Sequence, residues 1–166
     1  ILAPQGGQEF SYGGARLKVL APPAGYTSES PHNNDSLVLR LAYGRHSFLL
    51  TGDIDRQVEE ELAGSGGLEP ASVLKVAHHG SRSSSSADFL NAVRPVFALV
   101  SAGLDNPYGN PHPAVVARMR ERNTVLLRTD LWGLISIRSD GRRFHLETAR
   151  WSDYRQGTET ALDRLF

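Results

Sequence analysis

The sequence predicts a single α/β domain in which a mixed β-sheet is covered by helices. Two observations carry this. Short apolar runs bounded by glycine, proline and serine alternate, from Phe48 onward, with stretches of helical spacing, giving the order β-β-β-α-β-α-β-α-β-β-β with no internal repeat. The length, 166 residues with 40% hydrophobic residues, suits one core and is short for two, and no apolar run approaches a membrane span, so a soluble globular chain is expected. Residues 1–150 carry the pattern, and residues 151–166 form a polar, weakly patterned tail.

The elements follow in order. After a glycine-rich start, ARLKVLAP (15–22) reads as a strand, and the Pro-, Ser- and Asn-rich segment that follows reads as a loop. SLVLRLAY (36–43) turns at Gly44–Arg45 and returns as HSFLLT, a hairpin. Asp55 caps a helix with Val58 and Leu62 on one face, ended by Gly64 to Gly67. VLKVA (73–77) has the continuous apolar character of an interior parallel strand. Ser85 and Asp88 fit a capping box before Phe89, Leu90 and Val93. VFALVSAG (96–103) is a strand, and PAVVARMRERN a helix with Val115, Val116 and Met119 inward. TVLLRT, LISIRS and RFHLETA are three closing strands.

Composition excludes some chemistry. Without cysteine there are no disulfides, thiolate nucleophiles or thiolate-bound metals, so any metal must sit on His, Asp or Glu. The net charge is zero, so no global field draws the chain to nucleic acid or an anionic membrane. Sixteen of the eighteen cations are arginine, with Lys18 and Lys75 the exceptions, a bias that genome composition explains as well as phosphate binding does. The start, ILAPQGGQEF, has no methionine and no signal-peptide pattern, and reads as a piece of a longer protein.

Chemistry-bearing residues gather at two strand exits. Asp53 stands just past FLLTG, and His78 and His79 just past VLKVA. In an open α/β sheet the carboxyl ends of neighbouring strands face one crevice, so a single crossover helix would bring Asp53 and one histidine together. A carboxylate and neutral imidazoles are ligands for a divalent cation that makes hydroxide from water near neutral pH. The same residues also read as a turn aspartate and hydrogen-bonded histidines. GSRSSSSAD (80–88) reads either as a flexible loop with a helix cap or as a phosphate cradle, with Ser81 and Ser84 hydroxyls, helix N–H groups and Arg82 facing the crevice. Asn106 and Tyr108 are candidates for contact with sugar or base. Trp132 and Trp151 read as packing residues, and His46 and His145 as structural.

SLVLRLAYGRHSFLLTGD, VLKVAHHGSRSSSSADFLNAVRP, VSAGLDNPYGNPHP and RTDLWGLISI, in this order, resemble the C-terminal half of the metallo-β-lactamase-fold domain of ComEC-type DNA-internalisation competence proteins, from about Ser36 to Ile137. The resemblance implies a four-layer αββα sandwich, of which residues 1–150 would form a partial domain. It also implies a metal-dependent hydrolase, a nuclease acting on DNA, single-stranded DNA in particular, during natural transformation. The cofactor would be a pair of divalent ions, zinc or manganese.

By the same resemblance Asp53 matches the bridging carboxylate and His79 the last histidine ligand, with His78 a further ligand or a supporting residue. His32 resembles a middle ligand of many relatives, or is an exposed loop histidine. The family's YGHP turn reads Tyr108-Gly109-Asn110-Pro111 here, with histidine only at His112. The HxHxDH-like cluster of the fold's first half is absent, so the chain resembles the second half of a bipartite site. Its partners would be the N-terminal half of the same domain, the membrane channel part of the same protein, and DNA. The location implied is a soluble domain of a bacterial cytoplasmic-membrane protein on the extracytoplasmic face. The other reading is a catalytically silent domain that binds or guides DNA, and a third keeps the fold with a lactone, thioester or small phosphodiester as substrate.

Overall fold

A computed structural model describes residues 4–149; the tail and Trp151 lie outside the described residues. Seven strands form one mixed sheet in sequence order: β1 (Glu9–Tyr12), β2 (Ala15–Ala21), β3 (Val38–Tyr43), β4 (His46–Leu50), β5 (Val73–Lys75), β6 (Phe97–Val100) and β7 (Val125–Arg128). The first four pair antiparallel and the last four parallel. The parallel steps are crossed by α1 (Arg56–Gly64), α2 (Ala87–Val93) and α3 (Pro113–Glu121). Successive crossovers of one hand along a sheet that grows in one direction put their helices on one face.

That face buries Leu49, Leu74 and Ala98 against Val58, Phe89, Leu90, Val93, Val115 and Met119. The other face carries Phe48, Val73, Phe97 and Leu127, which pack on Ile135, Ile137, Phe144 and Leu146 of a separate antiparallel ribbon, β8 (Ile135–Ser139) and β9 (Phe144–Thr148). The described layers are thus helix, sheet, ribbon, an α/β architecture compatible with the expected one. The register carries the ribbon-side face on through Leu41, Leu17 and Phe10 toward β1, where Phe10, Leu17, Leu37 and Leu39 line a cavity of about 540 Å³. The ribbon and the sheet are also joined at their turns. Gly44, at φ +57°, lies so close to Gly141 that a Cβ would come within 2.5 Å of its carbonyl oxygen, and Arg45 N–H donates to that oxygen at 2.8 Å.

The expected strands and three helices are present, with four corrections. Residues 9–12 form the edge strand β1, which the sequence reading does not include: EFSY alternates polar and aromatic residues, but over only four positions, all of them exposed. A single helical turn, α4 (Thr129–Trp132), follows β7 and buries Trp132. The cap of α2 is Ser86, whose Oγ accepts from Phe89 N–H, while Ser85 holds a left-handed backbone one residue earlier. Val116 is only half-buried, beside buried Val115 and Met119. Asp55 caps α1 as expected, accepting from Gln57 N–H.

Candidate metal half-site at the parallel strand ends

Strands β4 and β5 are parallel neighbours joined by α1, so the segments leaving them meet at one end of the sheet. After β4 the chain passes through Thr51, whose hydroxyl donates to Lys75 O at 2.6 Å, and Gly52, at φ +56°. A Cβ on Gly52 would lie 2.6 Å from that of Ser36, so only glycine lets the loop close. Asp53 N–H then donates to Ser36 Oγ at 3.0 Å, which fixes the backbone of the carboxylate.

After β5, His78, His79 and Gly80 are all left-handed, with φ of 48°, 56° and 79°. Two consecutive non-glycine residues in this region cost about 1–2 kcal/mol each. The turn is held by His78 N–H to Gly52 O at 3.2 Å, Ser81 N–H to His78 O at 2.9 Å and His112 N–H to Gly80 O at 2.8 Å.

The strained turn gives the two imidazoles different partners, though their rings still meet edge-on at 6.5 Å. His79 Nδ1 lies 2.7 Å from Ser101 O, a contact only a protonated Nδ1 can make, so in the neutral ring Nε2 carries the lone pair. That Nε2 stands 3.6 Å from Asp53 Oδ2, with side chains 49% and 38% exposed. The gap is too long for a hydrogen bond and close to the roughly 3.4 Å separating two ligands of one tetrahedral cation, given metal–ligand bonds of about 2.0–2.2 Å. His78 instead meets the amide of Asn33 at 3.3 Å. The pair therefore fits a divalent cation in donor type and spacing. Among the described residues no group of three or more His, Asp or Glu is placed to hold one.

Lys75, the last residue of β5, is a functional candidate that sequence reasoning passed over. Its ammonium donates to Val76 O at 3.0 Å; burial lowers its pKa and the charge of Asp53 opposes that shift. Its signal was its rarity, one of two lysines in the chain.

The serine segment is fixed from beneath. Glu59 of α1 is fully buried, and its carboxylate accepts the N–H groups of Ser85 and Ser86. Burial raises the Glu59 pKa, while those N–H donors and the Arg118 charge act against it. Arg118 donates to Ser84 O at 3.0 Å, and Ser84 Oγ, itself buried, lies 3.0 Å from Ala77 O. The segment is an internally bonded loop, and the N–H groups expected for phosphate are occupied by Glu59. Ser81, whose Oγ lies 3.1 Å from Ser83 Oγ, and exposed Arg82 are the members of the cradle that remain toward solvent.

The loop after β6 is equally organised. Asn106 donates from its amide to Gly103 O and Asn110 O and accepts from Asn110 N–H, so its side chain builds the loop. Tyr108 is 83% exposed. His32 and His112 cap the turn at Asn33–Asp35 and helix α3, each through Nδ1. His46 stacks on Phe144 at 3.7 Å with Nδ1 2.6 Å from Ser139 Oγ, a structural role as expected; His145 sits exposed on the ribbon.

Fold and site together define an α/β domain that presents a carboxylate–imidazole pair at the carboxyl edge of its parallel strands. Comparison with known proteins finds relatives over most of this length. The chain is 41% identical over 131 residues, 78% of its length, to a protein named Competence protein ComA from Neisseria gonorrhoeae. It is 38% identical over 127 residues, 76% of its length, to ComE operon protein 3 from Bacillus subtilis, and 31% identical over 144 residues, 87% of its length, to Recombination protein 2 from Haemophilus influenzae. It spans only 19%, 16% and 18% of these relatives. No family model matches the chain.

Proposed function

We propose that this chain is part of a metal-dependent phosphodiester hydrolase that acts on DNA in a bacterial DNA-uptake system. The observation that supports the chemistry best is the 3.6 Å spacing of Asp53 Oδ2 and His79 Nε2, with the imidazole aimed by Ser101 O. The similarity to proteins named for competence and recombination supports the biological role.

In this reading Asp53 and His79 would hold a divalent cation, zinc or manganese, and Asp53 would serve as the carboxylate shared with a second. The metal would supply a hydroxide nucleophile near neutral pH and neutralise charge building on the phosphate. Ser101 O keeps the His79 proton on Nδ1, and the Ser36 hydroxyl fixes the backbone from which Asp53 projects. Lys75 keeps one positive charge beside the carboxylate. Arg82 and Ser81 meet the substrate phosphate from the neighbouring loop.

Two donors are too few for tight binding, so the remaining ligands come from a polypeptide segment outside this chain, the N-terminal half of the same domain. The apolar cavity over β1 to β3 offers that segment a face to cover. The membrane channel part of the same protein would place the domain on the extracytoplasmic face of the cytoplasmic membrane.

The test is cleavage of single-stranded DNA, with manganese or zinc added, by a polypeptide that restores the upstream half. Metal-dependent cleavage lost in Asp53→Ala supports the hydrolase. DNA binding with no cleavage under any metal favours instead a silent guiding domain.

A further inference from the structure

A cavity of about 380 Å³ opens beside His79, lined by that residue, residues 101–103 and the loop residues Asn106, Tyr108 and Asn110. Its volume lies within the range of small-ligand sites, roughly 300–1,000 Å³. We infer that this cavity is a subsite for one unstacked base of a single-stranded polynucleotide, with Tyr108 as the stacking platform at its rim. The inference rests on the DNA-handling reading above and adds to it a strand preference and a residue that sets it.

Three features converge on this ligand. The loop is built before any ligand arrives: Asn106 spends its carbonyl and amide on Gly103 and Asn110, at 2.7–3.0 Å, so the cavity wall has little freedom to lose on binding. Tyr108 stands at the tip of that stiffened loop, 83% exposed beside Gly109 at φ +64°, and its ring contributes nothing to the core. An exposed aromatic ring on an ordered loop is what a base stacks on, whatever its sequence. His79 is both a wall of the cavity and half of the Asp53–His79 pair, so a base seated here would leave its adjoining phosphate at that pair. A base in a duplex is already stacked and paired, and cannot enter a concave site without being flipped out. With zero net charge, stacking rather than phosphate attraction must supply much of the affinity, which predicts a shallow dependence on salt.

The test is fluorescence anisotropy of a labelled short oligodeoxythymidine, and of a blunt duplex of equal length, with the chain itself in EDTA so that cleavage plays no part. The wild-type chain and Tyr108→Phe should bind the single strand alike and better than the duplex, and Tyr108→Ala should bind it about tenfold more weakly with an unchanged circular dichroism spectrum. Equal binding by Tyr108→Ala, no binding by the wild-type chain, or no preference over the duplex overturns the subsite. Loss of the hydrolase reading shows instead as absent cleavage with this binding pattern intact, so the two failures are separable.

Discussion

His79 owes its usefulness to one hydrogen bond. With Nδ1 held 2.7 Å from Ser101 O, the ring can neither flip nor change tautomer without losing that bond, and Nε2 stays directed at Asp53. His78, one residue earlier, is turned to Asn33 by the same left-handed backbone. Metal retention by the upstream-restored protein should therefore fall at least about tenfold in His79→Ala and in Asp53→Ala and change much less in His78→Ala, as read by equilibrium dialysis with zinc. Gly80→Ala should be severe, because its Cβ would stand 2.6 Å from Pro111 Cβ at φ +79°. A loss of roughly 1–3 kcal/mol in urea unfolding is expected, with weaker metal binding beside it. Asp53 and His79 were legible in the sequence because strand exits can be read from apolar runs. The inward commitments of Ser84 and Asn106 were not, because a hydroxyl or amide looks the same in sequence whether it meets solvent or a carbonyl.

At the scale of elements, the clamp of α1 on the serine loop ties the candidate site to the helix layer. Glu59 gives both carboxylate oxygens to Ser85 and Ser86, Arg118 of α3 takes Ser84 O, and the loop begins at the His78–Gly80 turn. Glu59→Ala leaves two N–H groups without their acceptor and should destabilise the fold by about 1–3 kcal/mol near neutral pH. Because burial raises the Glu59 pKa, the native state holds its proton to higher pH than the unfolded chain does. Its contribution to stability is therefore full below the ordinary glutamate range and declines as pH rises through the raised value; the slope should vanish in Glu59→Gln. Ser86→Ala should cost about 1 kcal/mol as a lost helix cap, measured by thermal unfolding, whereas Ser85→Ala removes no cap. Most elements could be read from periodicity. The edge strand β1 was missed because its alternation, EFSY, runs for only four residues beside glycines, and Glu59 was hidden because a glutamate inside EEELAG looks like one more solvated charge.

Over the whole molecule, the seven-stranded sheet separates two packing systems, helices on one side and the β8–β9 ribbon on the other. Phe144 joins ribbon to sheet, stacked on His46 and edge-on to Phe48 and Phe97. Truncating it to alanine should cost up to about 3 kcal/mol, the low end for phenylalanine, and loosen the ribbon in hydrogen exchange before the helices. The mixed sheet with its covering helices could be anticipated from the alternation of elements, but which strands would leave the main sheet could not, because LISIRS and RFHLETA alternate like any half-buried strands. The site at the parallel strand ends follows from the same topology, and its two-donor set is the feature on which the functional account turns. The most direct test is single-stranded DNA cleavage by the upstream-restored polypeptide with manganese or zinc, comparing wild type with Asp53→Ala, His79→Ala and His78→Ala. The account predicts metal-dependent cleavage that His78→Ala largely keeps and the other two lose. Cleavage that persists in Asp53→Ala, or that no metal elicits from the wild type, would contradict it.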